Sequence, residues 1–248
     1  MKAVILAAGK GERLSEITRK IPKPMIEFKG KPLLQHNIEL CKKYGISDIF
    51  INLHHLPDRI TDFFGNGERL NVNIKYSYEK ELLGTAGAVK RIAGEFWKLG
   101  SLDVRKMGRF ENRKDVKSFF VIYGDNYSNY DLQLLIDKQK ETDSCCIIGF
   151  HYREDVSHSG VAEFDRNNKI LRFIEKPKEG ESKSHWVNAG IYLLKNSMLA
   201  YIKEGTSDFG KDVFPQILRD NVPMYGVYKD ADVKAFDTPE MYKKHFSN

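Results

Sequence analysis

Four short stretches of the chain hold residues whose types and spacing suit phosphate chemistry. The first, Leu6-Ala7-Ala8-Gly9-Lys10-Gly11-Glu12-Arg13-Leu14, directly follows an apolar run that reads as a strand. Glycines in such a loop let backbone N–H groups come close to a phosphate, and Arg13 adds a forked cation. It is not a dinucleotide fingerprint, because Leu14 stands where the third glycine belongs, and it lacks the Gly-Lys-Ser/Thr of a Walker loop. In the second stretch, Ile21-Pro22-Lys23-Pro24-Met25, a lysine sits between two prolines that stiffen its backbone. A stiff cation beside a phosphate loop suits charge stabilisation on a transferring phosphate. The third, Leu83-Gly84-Thr85-Ala86-Gly87-Ala88, opens a helix with small residues, which leaves room for a flat base near the backbone. The fourth, Gly124-Asp125, closes an apolar strand, the expected place for a metal-binding carboxylate, with a helix cap as the alternative.

These groups need a frame, and the hydrophobic periodicity supplies one. Strand patterns over Ala3 to Ala7, Asp48 to Leu53, Val72 to Tyr76 and Phe119 to Tyr123 alternate with helical ones over Pro32 to Tyr44, Arg59 to Phe64 and Ala86 to Trp97. Such alternation predicts an α/β fold with a mostly parallel central sheet covered on both faces, its ligands beyond the carboxyl ends of the strands. The second half reads as strands with little helix between them: Cys145 to His151, Val161 to Phe164, Ile170 to Phe173 and Val187 to Leu194. Helical pieces follow at Met198 to Ile202 and Val213 to Leu218, then strands at Pro223 to Tyr228 and Val233 to Phe236, and Pro239 opens a last helix. With no Pro/Ser-rich linker, the expectation is one domain over 1–248, a nucleotide-binding half over 1–130 and a more antiparallel half over 131–248. A basic stretch, 98–117, reads as a solvated insertion, with an acidic-partner or nucleic-acid patch as its alternative.

Composition narrows the class. The 248 residues are 41% hydrophobic and 30% charged, with 15 Phe and 12 Tyr, which excludes a fibre, a membrane span and a disordered chain. Forty Lys and Arg against 34 Asp and Glu leave +6, a surplus that fits a phosphate-rich ligand as well as nucleic acid. Three cysteines, two of them adjacent, make no disulfide framework or zinc spacing and read as core thiols of a reducing, cytoplasmic compartment. The apolar start is too short for a signal peptide, and none of the seven histidines stands at a ligand spacing.

Taken in order, LAAGKGERL, PKPM, EKELLGTAGAV, YGDN, FIEKP, NAGIYLL and FDTPE resemble the sugar-1-phosphate nucleotidyltransferases, from Met1 to about Met241. The stretch from Lys98 to Lys117 is longer than the usual connection there, and no appended left-handed β-helix, hence no acetyltransferase activity, is expected. The resemblance implies a Rossmann-like three-layer nucleotide-diphospho-sugar transferase fold with a sugar-binding second half. It also implies transfer of a nucleoside monophosphate from a nucleoside triphosphate to a sugar 1-phosphate, with Mg²⁺ as cofactor. Carried over by position, Arg13, Lys23 and Asp125 are the catalytic residues. Leu6, Ala8, Gly9, Gly11, Arg13, Lys23, Glu79, Gly84 and Thr85 bind the nucleotide. Gly160, Glu175, Lys176, Asn188 and Gly190 bind the sugar phosphate, and Asp125 and Asp237 hold the metal, although Asp237 also suits a helix cap before Pro239.

Glu79 stands where relatives often carry Gln for uracil or thymine. A carboxylate only accepts, which matches guanine N1–H and its exocyclic NH₂; cytosine, with one NH₂, is the alternative. The stretch YSYEKELLGTAGAV is most similar to mannose-1-phosphate and manno-heptose-1-phosphate guanylyltransferases, so GTP is the expected triphosphate. Uridylyl, thymidylyl or cytidylyl transfer to another hexose 1-phosphate stands behind it, as does a non-catalytic regulatory subunit that binds nucleotide sugars. A glycosyltransferase would need a metal-binding DxD, and Asp230-Ala231-Asp232 reads as a turn instead. No membrane or nucleic-acid partner is expected, and a homo-oligomer is left open.

Overall fold

The computed structural model describes residues 1–97, 117–229 and 231–246. The basic stretch 98–117, save Lys117, therefore lies outside the described residues, as does Asp230 of the DxD triplet. The architecture is the α/β fold expected, an open sheet with a mostly parallel centre. Contacts group the chain into two compact units that do not follow a cut at residue 130. One gathers Met1–Leu82, Ile122–Tyr130 and Asp232–Asn248; the other gathers Leu83–Val121 and Asp131–Ala231.

In the first unit, the strand Lys2–Leu6 pairs in parallel with Asp48–Leu53, which pairs in parallel with Asn73–Tyr78. The apolar runs KAVIL and DIFINL are buried along nearly their whole length, as strands covered on both faces require. Beside Lys2–Leu6 ends the strand Ser118–Tyr123, and Gly124 N–H donates to the Leu6 carbonyl at 2.8 Å. The helix Leu33–Lys43 follows Pro32, buries Leu33, Leu34, Ile38 and Cys41, and stops before Gly45, whose φ is +71°. The next helix, Pro57–Phe64, starts earlier than Arg59 because Pro57 is suited to a first turn. An apolar cluster of Leu14, Ile26, Phe28, Leu33 and Phe236 unites three distant parts of the sequence. Full burial of each such side chain is worth about 1.5–3 kcal/mol. The cluster thereby anchors the C-terminal segment and, with it, Asp237.

The second unit is mostly antiparallel. Trp186–Lys195 pairs with Cys146–Tyr152 and, at Val187, with Gly160–Phe164, which pairs with Ile170–Glu175. Tyr225–Tyr228 runs parallel to Cys146–Tyr152. Three elements correct the sequence reading. A helix, Leu132–Thr142, occupies a stretch assigned nothing; Asp131 caps it by accepting from Gln133 N–H, but its buried stripe is only Leu132, Leu135 and Gln139. A π-helical turn, Phe209–Val213, precedes the helix Phe214–Arg219, so helical structure begins four residues before Val213. The piece expected over Met198 to Ile202 is a 3₁₀ turn, Asn196–Tyr201. All three cysteines are free, and burial pushes the Cys41 thiol up to about 12 and that of Cys145 to about 11. Among the described residues no helix is long and apolar enough to cross a membrane.

Candidate functional site

The first unit brings together Arg13, Lys23 and Asp125, singled out by type and spacing, and Asp237, implied by the resemblance. Lys23 Nζ lies 2.6 Å from Asp125 Oδ2 and 2.6 Å from Asp237 Oδ1. These partners are 102 and 214 residues away in sequence. The lysine is only 5% exposed. Burial alone would lower its pKa, but the charges of Asp125 and Asp237 and their hydrogen bonds outweigh that and hold it above the ordinary value. Arg13 approaches the same Asp237 oxygen at 3.6 Å and is about half exposed. Local structure explains the convergence. Pro22 and Pro24 fix a 3₁₀ turn, Lys23–Met25, that carries the lysine. The Asn37 amide donates to the Tyr123 and Asn126 carbonyls and so clamps the turn bearing Asp125. Thr238, not Asp237, caps the last helix by accepting from Met241 N–H, which leaves the Asp237 carboxylate to the lysine.

The glycine loop is held open beside this centre. Gly11 has φ +64°, and a Cβ there would lie 2.7 Å from Thr18 Cγ2, so another residue would be strained twice over. The buried Thr18 hydroxyl is placed against the Gly11 and Leu14 carbonyls at 3.0 Å each and fixes the loop's exit. A Cβ on Gly9 would meet nothing within 4 Å, so open space adjoins its backbone. Leu6 and Ala8 are buried at the loop's entrance.

Glu79 is not a surface carboxylate: it is 5% exposed, and Asn52 Nδ2 donates to its Oε1 at 2.8 Å. Asn52 Oδ1 in turn accepts from Ala7 N–H at 2.7 Å, which ties Glu79 to the start of the glycine loop. Sequence reasoning passed over Asn52. Its signal was a polar residue inside the apolar strand DIFINL, which stays buried only if it is hydrogen-bonded.

The second unit holds the remaining positions. Gly84, with φ +72°, starts the helix Gly84–Trp97, and a Cβ there would overlap the Ser207 carbonyl oxygen. Ser207 O also accepts from Ala86 and Gly87 N–H at 3.0 Å. The small residues of LGTAGA therefore admit the chain's own backbone at Ser207. Thr85 Oγ1 donates to Asp208 Oδ2 at 2.8 Å and accepts from Phe209 N–H. Asp208, also unremarked in the sequence, further accepts from Gly210 and Lys211 N–H. Glu175 lies beside Gly160 and Gly210: a Cβ on either would come within 2.8 Å and 2.5 Å of its Oε2. Burial first, then the Asp208 charge, raise the Glu175 carboxyl above the usual carboxylate range. Lys176 has φ +54°, an uncommon conformation for a side-chain-bearing residue, and its N–H donates to the Ser159 carbonyl. Asn188 and Gly190 fall where the register of Trp186–Lys195 shifts. There Asn188 Oδ1 accepts from Gly190 N–H and its Nδ2 donates to Tyr192 OH. Both ends of that amide thus make contacts within its own strand.

A glycine loop, a bridging lysine and two convergent carboxylates thus stand together in the first unit of an open α/β fold. Residues 2–233 match the family model described as nucleotidyl transferase, and the chain belongs to that family. A UTP–glucose-1-phosphate uridylyltransferase from Synechocystis sp. is 36% identical, over 94% of this chain and 59% of that protein. A probable mannose-1-phosphate guanylyltransferase 1 from Oryza sativa subsp. japonica is 34% identical, over 89% of this chain and 57% of that protein. The chain thus spans a little over half the length of these curated relatives. Among solved structures, HddC from Yersinia pseudotuberculosis, complexed with GMP-PN, superposes with a TM-score of 0.77 at 25% identity, over 99% of this chain and 98% of that one.

Proposed function

We propose that the chain transfers a nucleoside monophosphate from a nucleoside triphosphate to a sugar 1-phosphate, releasing pyrophosphate. GTP is the favoured donor and a mannose- or manno-heptose-type sugar 1-phosphate the favoured acceptor. The observation that carries this reading is the buried Lys23 ammonium held 2.6 Å from both Asp125 and Asp237. A sugar-phosphate oxygen attacks the α-phosphorus, the bond to the bridging oxygen of the β-phosphate breaks, and the electron pair leaves with pyrophosphate. The attacking phosphate is already ionised near neutral pH, so no general base is required, and catalysis reduces to positioning and charge neutralisation.

The backbone from Leu6 through Ala8, Gly9 and Gly11, with Arg13, holds the triphosphate. Lys23 meets the charge that develops on the α-phosphate and the departing group. Asp125 and Asp237 would hold Mg²⁺. Two hard oxygens converging on one cation, with substrate phosphates to complete the shell, suit that ion. Bound there, it would supply further neutralisation of phosphate charge. Gly84 and Thr85 shape the nucleotide side. Gly160, Glu175, Lys176, Asn188 and Gly190 form the sugar-phosphate side, Glu175 as acceptor for sugar hydroxyls and Lys176 as partner of the phosphate.

The preference for GTP rests on Glu79, whose buried carboxylate offers only acceptors, and on the guanylyltransferase among the relatives. A second reading, uridylyl transfer to glucose 1-phosphate, is favoured by the 36% identical relative. A matrix of four triphosphates against several sugar 1-phosphates, scored by pyrophosphate release, tests both. GTP with a manno-configured acceptor should lead. A lead for UTP with glucose 1-phosphate would select the second reading, and silence in every well would remove both.

A further inference from the structure

Two carboxylates reach Lys23 from distant parts of the sequence, and the backbone accounts for their approach as well as the lysine does. The strand Asn126–Ser128 pairs antiparallel with Val233–Ala235, and the register sets Asn126 opposite Ala235. Asp125 comes just before the first strand and Asp237 two residues after the second, so both stand at the same end of this ribbon. Asn37 Nδ2 donates to the Asn126 carbonyl at 2.9 Å on one side, and the buried Phe236 anchors the other. At that end the Lys23 ammonium lies 2.6 Å from Asp125 Oδ2 and 2.6 Å from Asp237 Oδ1, with Arg13 3.6 Å from the same Asp237 oxygen. Two cations thus face two carboxylates, and the four charges balance.

A divalent cation takes the same kind of oxygen that this ammonium holds. An ion shared by Asp125 Oδ2 and Asp237 Oδ1 would stand where Lys23 Nζ stands, and two cations that close repel strongly. Two further positive charges also unbalance the group unless negative charge arrives with them. A triphosphate brings that charge, and it gives a displaced ammonium a new partner. We propose that Lys23 is the resident counter-ion of the metal-binding pair: its ammonium keeps the place of a divalent cation between Asp125 and Asp237 and passes to phosphate when cation and triphosphate bind. This rests on the nucleotidyl-transfer reading and on the two aspartates as metal ligands. In the free protein the lysine is therefore a competitor of the metal. Cation and triphosphate each ease the entry of the other, because each removes one cause for the ammonium to stay.

A residue that merely supports a metal site weakens metal binding when it is removed; a competitor strengthens it. Mn²⁺, which suits the same oxygen ligands, is titrated into the protein without nucleotide at one pH, and free Mn²⁺ is read by electron paramagnetic resonance. Lys23→Met should bind Mn²⁺ at least about tenfold more tightly than wild type, the size of one hydrogen bond to a charged group. Saturating Mg²⁺ should also raise the thermal midpoint of Lys23→Met by more than it raises that of wild type. The double variant Lys23→Met/Asp125→Asn should lose the gain, which places the ion at the pair. Lys10→Met removes a half-exposed positive charge and should leave the Mn²⁺ constant within about twofold. An unchanged or weaker constant for Lys23→Met overturns the proposal, as does an absence of binding in both proteins. A gain that persists in the double variant, or that Lys10→Met shows equally, overturns it too. Should Lys23→Met fail to fold by circular dichroism, Lys23→Gln replaces it; this variant removes the charge, keeps a polar end, and is held to the same direction and outcomes. If the wild-type chain makes no nucleotide sugar from any triphosphate, the transfer reading fails, while the Mn²⁺ constants still decide whether Lys23 competes with the ion.

Discussion

Replacing Lys23 with methionine keeps most of the side-chain bulk and removes one charge, so it isolates what the ammonium does. The lysine side chain is 6% exposed, while those of Asp125 and Asp237 are 31% and 25% exposed. Removing one partner from a fully buried ion pair costs about 3–5 kcal/mol. Here the two carboxylates left behind reach solvent, so the expected loss is smaller, about 2–3 kcal/mol. For a chain of this size each kcal/mol moves the thermal midpoint by about 2–4 °C, which places the variant about 5–10 °C below wild type. Activity should fall by about 10²–10³, the cost of deleting one positioned group that stabilises transition-state charge. Lys10→Met is the control, because Lys10 is half exposed and only 4.0 Å from an exposed Glu12. A pair of that kind is worth at most about 1 kcal/mol. Differential scanning calorimetry at neutral pH, with pyrophosphate release on the same preparations, reads both effects. A Lys23→Met protein that melts with wild type, or a Lys10→Met protein that loses as much, would refute the claim that the buried lysine holds the carboxylates together.

Other consequences follow from particular residues. Gly84→Ala meets both a positive φ and the Ser207 carbonyl, whereas Gly45→Ala meets a positive φ with nothing within 4 Å. Urea unfolding should therefore show a loss of about 2–3 kcal/mol for the first and about 1 kcal/mol for the second. Burial, with the charge of Arg153, lowers the His151 pKa to about 4. The unfolded imidazole takes a proton near 6.5, so stability is intact above that pH and falls as pH drops toward 4. The decline amounts to about 3 kcal/mol at most, and His151→Gln should flatten that part of a stability–pH curve. Asp208→Ala removes the acceptor of Thr85 Oγ1 and of the Gly210 and Lys211 amides. It should cost about 1–3 kcal/mol in chemical denaturation, and Asp208→Asn should cost less. Loss of the Asp208 charge should also lower the Glu175 carboxyl pKa, a change readable by carbon-13 NMR of the labelled carboxyl.

The strands KAVIL, DIFINL and SFFVIY were legible because they are continuous apolar runs bounded by turn residues, a pattern that burial on both faces imposes. The helix Leu132–Thr142 was not, because Leu132 and Leu135 alone make too short a stripe and a buried Gln139 completes it. The π-helical turn Phe209–Val213 was missed because it spends Gly210 on space beside Glu175 rather than on helix propensity. Type and spacing picked out Arg13, Lys23 and Asp125 individually. Nothing local in the sequence states that Lys23 meets Asp237, 214 positions away; the resemblance set Asp237 beside Asp125 as a metal ligand, and the packing of Phe236 accounts for its approach to the lysine. Gly84, Gly87 and Thr85 were recognised as special, but their contacts with Ser207 and Asp208 were not visible in the sequence. A glycine's need for space is visible in a sequence, but what fills the space is not.

Phosphorus-31 NMR of the wild-type chain with Mg²⁺, GTP and mannose 1-phosphate tests the central claim most directly, because it follows the reacting phosphorus itself. The account predicts that the α-phosphate resonance of GTP is replaced by the two coupled signals of a nucleoside diphosphate sugar. One pyrophosphate should appear for each product formed, and only when the sugar phosphate is present. Triphosphate breakdown that ignores the sugar phosphate, or no diphosphate-sugar signal with any of the four triphosphates, would contradict it.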